Sequence, residues 1–293
     1  SDRLSLLRPE NAQQPDAIFF HVRDVDDDAC GRRIGGWHCP WNPNGPPDFI
    51  ALGSTINGHG TDNVLHLRPN GPSLPHEDYF YDYDYGLSYL EHLMGGEDRY
   101  YKVYWKPKCL DGEITAATGE RMILLSRSCE DHIGARVRIV ITLFHEGVHM
   151  YTQDKEPLPL WANESVASYY SLKAMAYVTE GAIEPAELNK DVYSKVREGY
   201  LNIGTQNQRL GLLEAQKLVI SGEDPSAYAH FYFRGAVFWR VVDQFIQSST
   251  NNEKSLDDHL PLLFEGGWGP DGELPMDFVK AMHLYDAVSW EKI

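Results

Sequence analysis

Apolar residues recur at helical spacing through most of the second half of the chain. Val137, Val140, Ile141, Phe144 and Val148 predict a helix over 135–153. Ile139 and Leu143 add a second apolar side, so this helix is expected to be buried and central. Pro157 and Pro159 break the pattern, and helical spacing resumes over 161–178. Further helices are predicted at 185–200, 209–220, 228–247, 256–264 and 276–289. The first half reads differently. Short β-type runs stand at 17–22, 48–52, 100–105 and 121–125, with a strand-and-turn element at 112–119. Proline, glycine and asparagine clusters such as 41–47 and 69–72 separate them as turns. One helix interrupts this half, from Tyr79 to Met94, with Gly95 and Gly96 as its stop.

The pattern predicts an α+β protein with a β-containing N-terminal lobe, a helical C-terminal lobe and the helix over 135–153 between them. Residues 1–76 form an irregular, β-leaning elaboration and 77–293 the main domain, with its β-containing part at 77–153 and its helical part at 154–293. A chain of 293 residues is long enough to bury a sizeable core. Its formal charge is 26 − 43 = −17, which repels phosphate backbones and anionic lipid and argues against nucleic-acid and membrane partners. No apolar run approaches the ~18 residues of a spanning helix. The four cysteines, Cys30, Cys39, Cys109 and Cys129, contain no CxxC pair. They read as two local disulfides, Cys30–Cys39 and Cys109–Cys129, in a secreted or periplasmic protein, or else as four buried thiols in a cytosolic one.

The chemistry concentrates in His145-Glu146-Gly147-Val148-His149 on the central helix. Histidines at i and i+4 share one helix face, so both imidazoles can ligate one zinc ion. The intervening Glu146 is placed to take a proton from a zinc-activated water. A catalytic zinc site needs a third protein ligand. The segment Trp161-Ala162-Asn163-Glu164-Ser165-Val166-Ala167 follows. Together these segments resemble the gluzincins, the thermolysin-like zinc metallopeptidases, in which a glutamate on the next helix completes the site. The match lies in Trp161, Asn163, Glu164 and Ala167, with Ser165 where glycine is usual and a shorter interval after His149 than in the best-known branches. The resemblance implies Glu164 as third ligand and Zn2+ as cofactor; the alternative is an exposed acid favouring the helix N-terminus.

Tyr232-Phe233-Arg234-Gly235 resembles the Tyr-x-Lys-Gly segment of the aminopeptidase branches, with arginine for lysine. That likeness implies that the Tyr232 phenol faces the oxyanion of the reaction. His230 and Tyr228 compete for the role. The helical lobe is also similar to the glycyl aminopeptidase family at Ser255-Leu256-Asp257-Asp258. In gluzincins an edge strand before the zinc helix pairs with extended substrate, which implies substrate binding at Thr115, Ala116 and Ala117. The Gly-x-Met-Glu-Asn motif by which the aminopeptidases grip a free amine is absent from the sequence. The reading is a zinc metallopeptidase acting on a peptide or protein substrate. The alternatives are an inactive zinc-binding scaffold and a hydrolase of a non-peptide amide such as a cell-wall cross-link.

Overall fold

The computed structural model of the protein describes residues 18–22, 31–33, 36–38, 48–52, 56–60, 64–69, 80–95, 101–110, 116–119, 122–128, 133–152, 154–180, 198–199 and 210–290. The helix expected over 185–200 falls almost wholly outside these residues, as does Thr115. Each expected cysteine pair includes a residue outside them.

Among the described residues nine strands precede the long helical stretch. β1 (Ile18–Val22) pairs antiparallel with β4 (Asp48–Leu52), and β2 (Gly31–Arg33) with β3 (Gly36–His38). The remaining strands, β5 (Ile56–Gly60), β6 (Val64–Pro69), β7 (Tyr101–Leu110), β8 (Ala116–Gly119) and β9 (Met122–Ser128), form one sheet in the order β5-β6-β7-β9-β8. Its centre is parallel and both flanking pairs are antiparallel. Parallel neighbours need a crossover, and α1 (Phe80–Met94) provides it between β6 and β7. Two strands of this sheet, β5 and β6, come from the stretch before residue 77.

β7 runs past the expected end at Trp105, as far as Leu110. It does so with a register shift between Trp105 and Cys109. Pro107 stands in that gap and has no N–H to give the ladder, so an irregularity there is the physical consequence. β8 and β9 form the antiparallel edge, and β8 is the outermost strand.

The central helix, α2 (Ile133–Thr152), packs against α1, β8, β9 and α3 (Leu160–Glu180). Val137, Ile139, Val140, Leu143, Phe144 and Val148 are all buried, as the two-sided pattern requires. Burying a side chain such as Leu143 or Phe144 is worth about 1.5–3 kcal/mol each. Gly147 lies where α1 passes closest. A Cβ there would fall 2.6 Å from Leu87 Cδ2, so the middle position of the histidine pair has no room for a side chain.

Beyond α3 come α4 (Leu212–Ser221), α5 (Ala229–Ser249), α6 (Leu260–Phe264) and α7 (Met276–Trp290). The expected helix over 256–264 is split: Leu256–His259 is a 3-10 turn and only Leu260–Phe264 is α-helical. Ser255 and Asp258 form a reciprocal capping box at its start, and Pro261 marks the first turn of α6, where a missing N–H costs nothing. α3 and α5 pack closely because Gly235 faces Ser165, whose Cβ would lie 2.1 Å from a Cβ at residue 235. Among the described residues no helix is long and apolar enough to cross a membrane.

Candidate metal centre

Helix α2 brings His145 and His149 to one face, one turn apart, and α3 crosses it so that Glu164 meets both. His145 Nε2 lies 3.0 Å from His149 Nε2 and 3.1 Å from Glu164 Oε2. His149 Nε2 is 3.6 Å from the same oxygen. Three ligands on a tetrahedral zinc with bonds near 2.0–2.1 Å sit about 3.3 Å apart. The three observed spacings bracket that value, so the nitrogen–nitrogen–oxygen donor set fits a zinc ion. Three protein ligands also leave a fourth position open, as catalytic zinc sites do.

The sequence around Glu164 explains why it is held there. The Trp161 indole N–H donates to the Gly272 carbonyl at 2.8 Å, and its backbone N–H donates to Gln216 Oε1 at 3.1 Å. Its ring stacks on Trp239 with centroids 5.9 Å apart. The Trp239 indole in turn donates to Ser165 Oγ at 2.8 Å. Trp161 and Ser165 therefore lock the first turn of α3 in place and leave Glu164 facing the histidines. Ala167 is fully buried.

The electrostatics follow from that closeness. Burial pushes the Glu164 carboxyl up, but hydrogen bonds and charge from His145 and His149 outweigh it and hold it well below the usual carboxylate range. Burial lowers His149, but Glu164, Glu146 and Asn163 overcome it, and the imidazole ends above its ordinary value. The second oxygen of Glu164, Oε1, accepts a hydrogen bond from the Tyr228 hydroxyl at 2.6 Å. Burial and the Glu164 charge push the Tyr228 phenol far up, so it stays a donor. The Ser168 hydroxyl stands 3.5 Å from His145 Nδ1, on the far side of the ring.

Glu146 lines a cavity of about 420 Å³ together with His149, Glu164, Asn163, Thr118 and Pro157. Its carboxylate Oε2 accepts a hydrogen bond from the Thr118 hydroxyl at 2.6 Å. That hydroxyl also lies 3.0 Å from the Glu146 carbonyl oxygen. Thr118 is the residue that sequence reasoning passed over, although it directly follows the Thr115–Ala117 stretch. Ala116 and Ala117 stand on the edge strand β8, half-buried beside α2.

Of the three candidates for oxyanion donor, Tyr228 and Tyr232 stand side by side at Glu164, their rings 5.5 Å apart. Tyr228 is engaged with Glu164. Tyr232 has its ring 5.4 Å from that of His145. Burial first, then the charges of Glu164 and Glu146, push its phenol well up, so it is a neutral donor facing the centre. His230 is felt instead by Asp224, in the turn before α5, and its buried Nδ1 has no partner among the described residues.

No family model matches the chain, and no curated protein matches it by sequence. Solved structures do match it in fold. One is an aminopeptidase N family protein from Idiomarina loihiensis, with a TM-score of 0.57 at 11% identity over 94% of this chain and 48% of that one. Native yeast LTA4 hydrolase gives 0.54 at 13% identity over 94% of this chain and 44% of that one. An M1 zinc metallopeptidase from Deinococcus radiodurans gives 0.50 at 15% identity over 94% and 60%. The chain thus spans about half the length of these neighbours, and its fold is like theirs.

Proposed function

We propose that the protein is a zinc-dependent metallopeptidase of gluzincin type, hydrolysing peptide bonds in an extended substrate. The observation that carries this reading is the convergence of His145, His149 and Glu164 on one point, with Glu146 lining the same cavity. Zinc held by these three side chains would supply a Lewis acid that polarises a carbonyl and acidifies water near neutral pH. The chain's own residues do the rest. Glu146 accepts the proton of the attacking water and passes it to the leaving amine. The Tyr232 phenol donates a hydrogen bond to the carbonyl oxygen as charge develops on it. Tyr228 fixes the Glu164 carboxylate so that Oε2 is turned to the two histidines.

Among the described residues β8 has no strand on its outer side, so it could add an extended peptide, and Thr115, Ala116 and Ala117 are the contact residues in this reading. The substrate is a peptide or protein; nucleic acid and membrane have no part in it. An exported location, secreted or periplasmic, belongs to the same proposal and rests on the four cysteines.

Digestion of a mixed peptide library by the zinc-loaded protein tests the reading, with Glu146→Gln as control. The expected result is cleavage by the wild type and loss of about 1,000-fold or more in the variant, at unchanged zinc content. A wild-type protein that cleaves no peptide, or a variant as active as wild type, contradicts it.

A further inference from the structure

We propose that Thr118 is the positioning residue of Glu146: its hydroxyl holds Oε2 of the carboxylate and leaves Oε1 as the oxygen that takes the proton. This rests on the reading of Glu146 as proton acceptor. The hydrogen bond is 2.6 Å long, short for a hydroxyl donor and typical of one aimed at an ionised carboxylate. The hydroxyl carries a single proton. Its contact with the Glu146 carbonyl is longer, at 3.0 Å, and the carboxylate is the stronger acceptor.

Among the described residues Thr118 supplies the only hydrogen bond to the Glu146 carboxylate. A glutamate side chain has three rotatable bonds, and Glu146 stands half-buried at a cavity wall with space in front of it. Without a tether it samples rotamers, and only a fraction of them face the reacting atoms. The tether comes from a separate element. Thr118 sits in β8 opposite Ile123, which is fully buried in β9, so the hydroxyl is fixed to the sheet rather than to the helix that carries Glu146. Two sequence-distant elements, 28 residues apart, thereby set the side chain from both ends.

The same strand is the outermost of the sheet among the described residues, where an extended peptide would add. Substrate laid along β8 would therefore lie beside a proton acceptor that Thr118 already holds in place.

Thr118→Val removes the donor at constant shape, and Thr118→Ser keeps it. With a peptide found by library digestion, Thr118→Val is expected to lower kcat about 10- to 100-fold at a KM within about twofold of wild type, as a misplaced group does. Zinc per chain and melting temperature should stay at wild-type values, and Thr118→Ser should restore kcat to within about threefold. A Thr118→Val protein with wild-type kcat overturns the proposal, as does a serine variant as slow as the valine one. Crystal structures of zinc-loaded wild type and Thr118→Val give a readout that needs no turnover. A Glu146 carboxylate displaced or spread over rotamers in the variant supports the proposal; one that keeps its wild-type position overturns it. Should the wild type cleave nothing, the peptidase reading falls while the crystallographic comparison still decides the role of Thr118.

Discussion

Near its N-terminus, α3 places Glu164 against His145 and His149 on α2. Further along the same helix, Tyr169, Tyr170 and Lys173 meet Asp243 of α5 and Asp257 of the turn that follows. Both clusters are buried and polar, yet their donors and acceptors are balanced differently. In the second, the Tyr169 hydroxyl and the Leu256 amide donate to the two oxygens of Asp243. The Tyr170 hydroxyl and Lys173 donate to Asp257 at 2.8 and 2.6 Å. Both oxygens of Asp243 and Oδ1 of Asp257 have donors, and the result is a clamp between α3, α5 and the turn at Leu256–His259. In the first cluster three metal-binding atoms crowd within 3.0–3.6 Å, and the Tyr228 hydroxyl turns to the outer oxygen of Glu164. The first cluster also opens on the cavity. A satisfied buried network is structural; a crowded set of electron-pair donors beside a cavity asks for a cation.

The contrast can be broken most severely at Glu164. Glu164→Ala should weaken zinc binding far beyond the roughly 10- to 100-fold that loss of an outer partner costs, measured by competition with a chelator. Asp243→Ala should do the opposite in kind. It strands the Tyr169 hydroxyl and the Leu256 amide, while Lys173 keeps Asp257 at 2.6 Å, and should cost about 1–3 kcal/mol of stability in denaturant unfolding, with zinc per folded chain unchanged. Equal effects of the two substitutions on zinc content would erase the distinction. Tyr228→Phe removes only the hydroxyl on Glu164 Oε1 and should weaken zinc about 10- to 100-fold, with stability of the metal-free protein little altered.

The smallest effect is in pH. His149 in the folded, metal-free chain holds its proton above the ordinary value of 6.5. That contribution to stability is complete below pH 6.5 and is lost as pH rises through the raised folded value. Glu164 is depressed below its ordinary value of 4.5, so its contribution is present above pH 4.5 and is lost as pH falls through the lowered value. Zinc requires a neutral His149, so its affinity and the rise in melting temperature it confers should grow from pH 6 to pH 8. A zinc-induced shift that is flat across that range would contradict the assignment of His149.

Much of this centre was legible in the chain. Histidines four apart in a helical pattern share a face by geometry alone, and the apolar spacing around them placed that helix in the core. Glu164 was legible only through likeness of its flanking residues, because nothing local says that α3 crosses α2 at that turn. Three candidates for the oxyanion role stood within five residues, and the sequence offers no means of telling which of them lies beside Glu164 and His145. Thr118 was not legible: its partner is 28 residues away, across a strand and a helix start. β5 and β6 were missed for a similar reason. β5 reads Ile-Asn-Gly-His-Gly, too rich in glycine to alternate, and β6 is held by a parallel neighbour 37 residues later.

Anomalous diffraction at the zinc absorption edge, from crystals of the zinc-loaded protein, tests the account most directly. A single peak within bonding distance of His145 Nε2, His149 Nε2 and Glu164 Oε2 is the predicted result. No peak at that point, or one at which Glu164 takes no part, would contradict it.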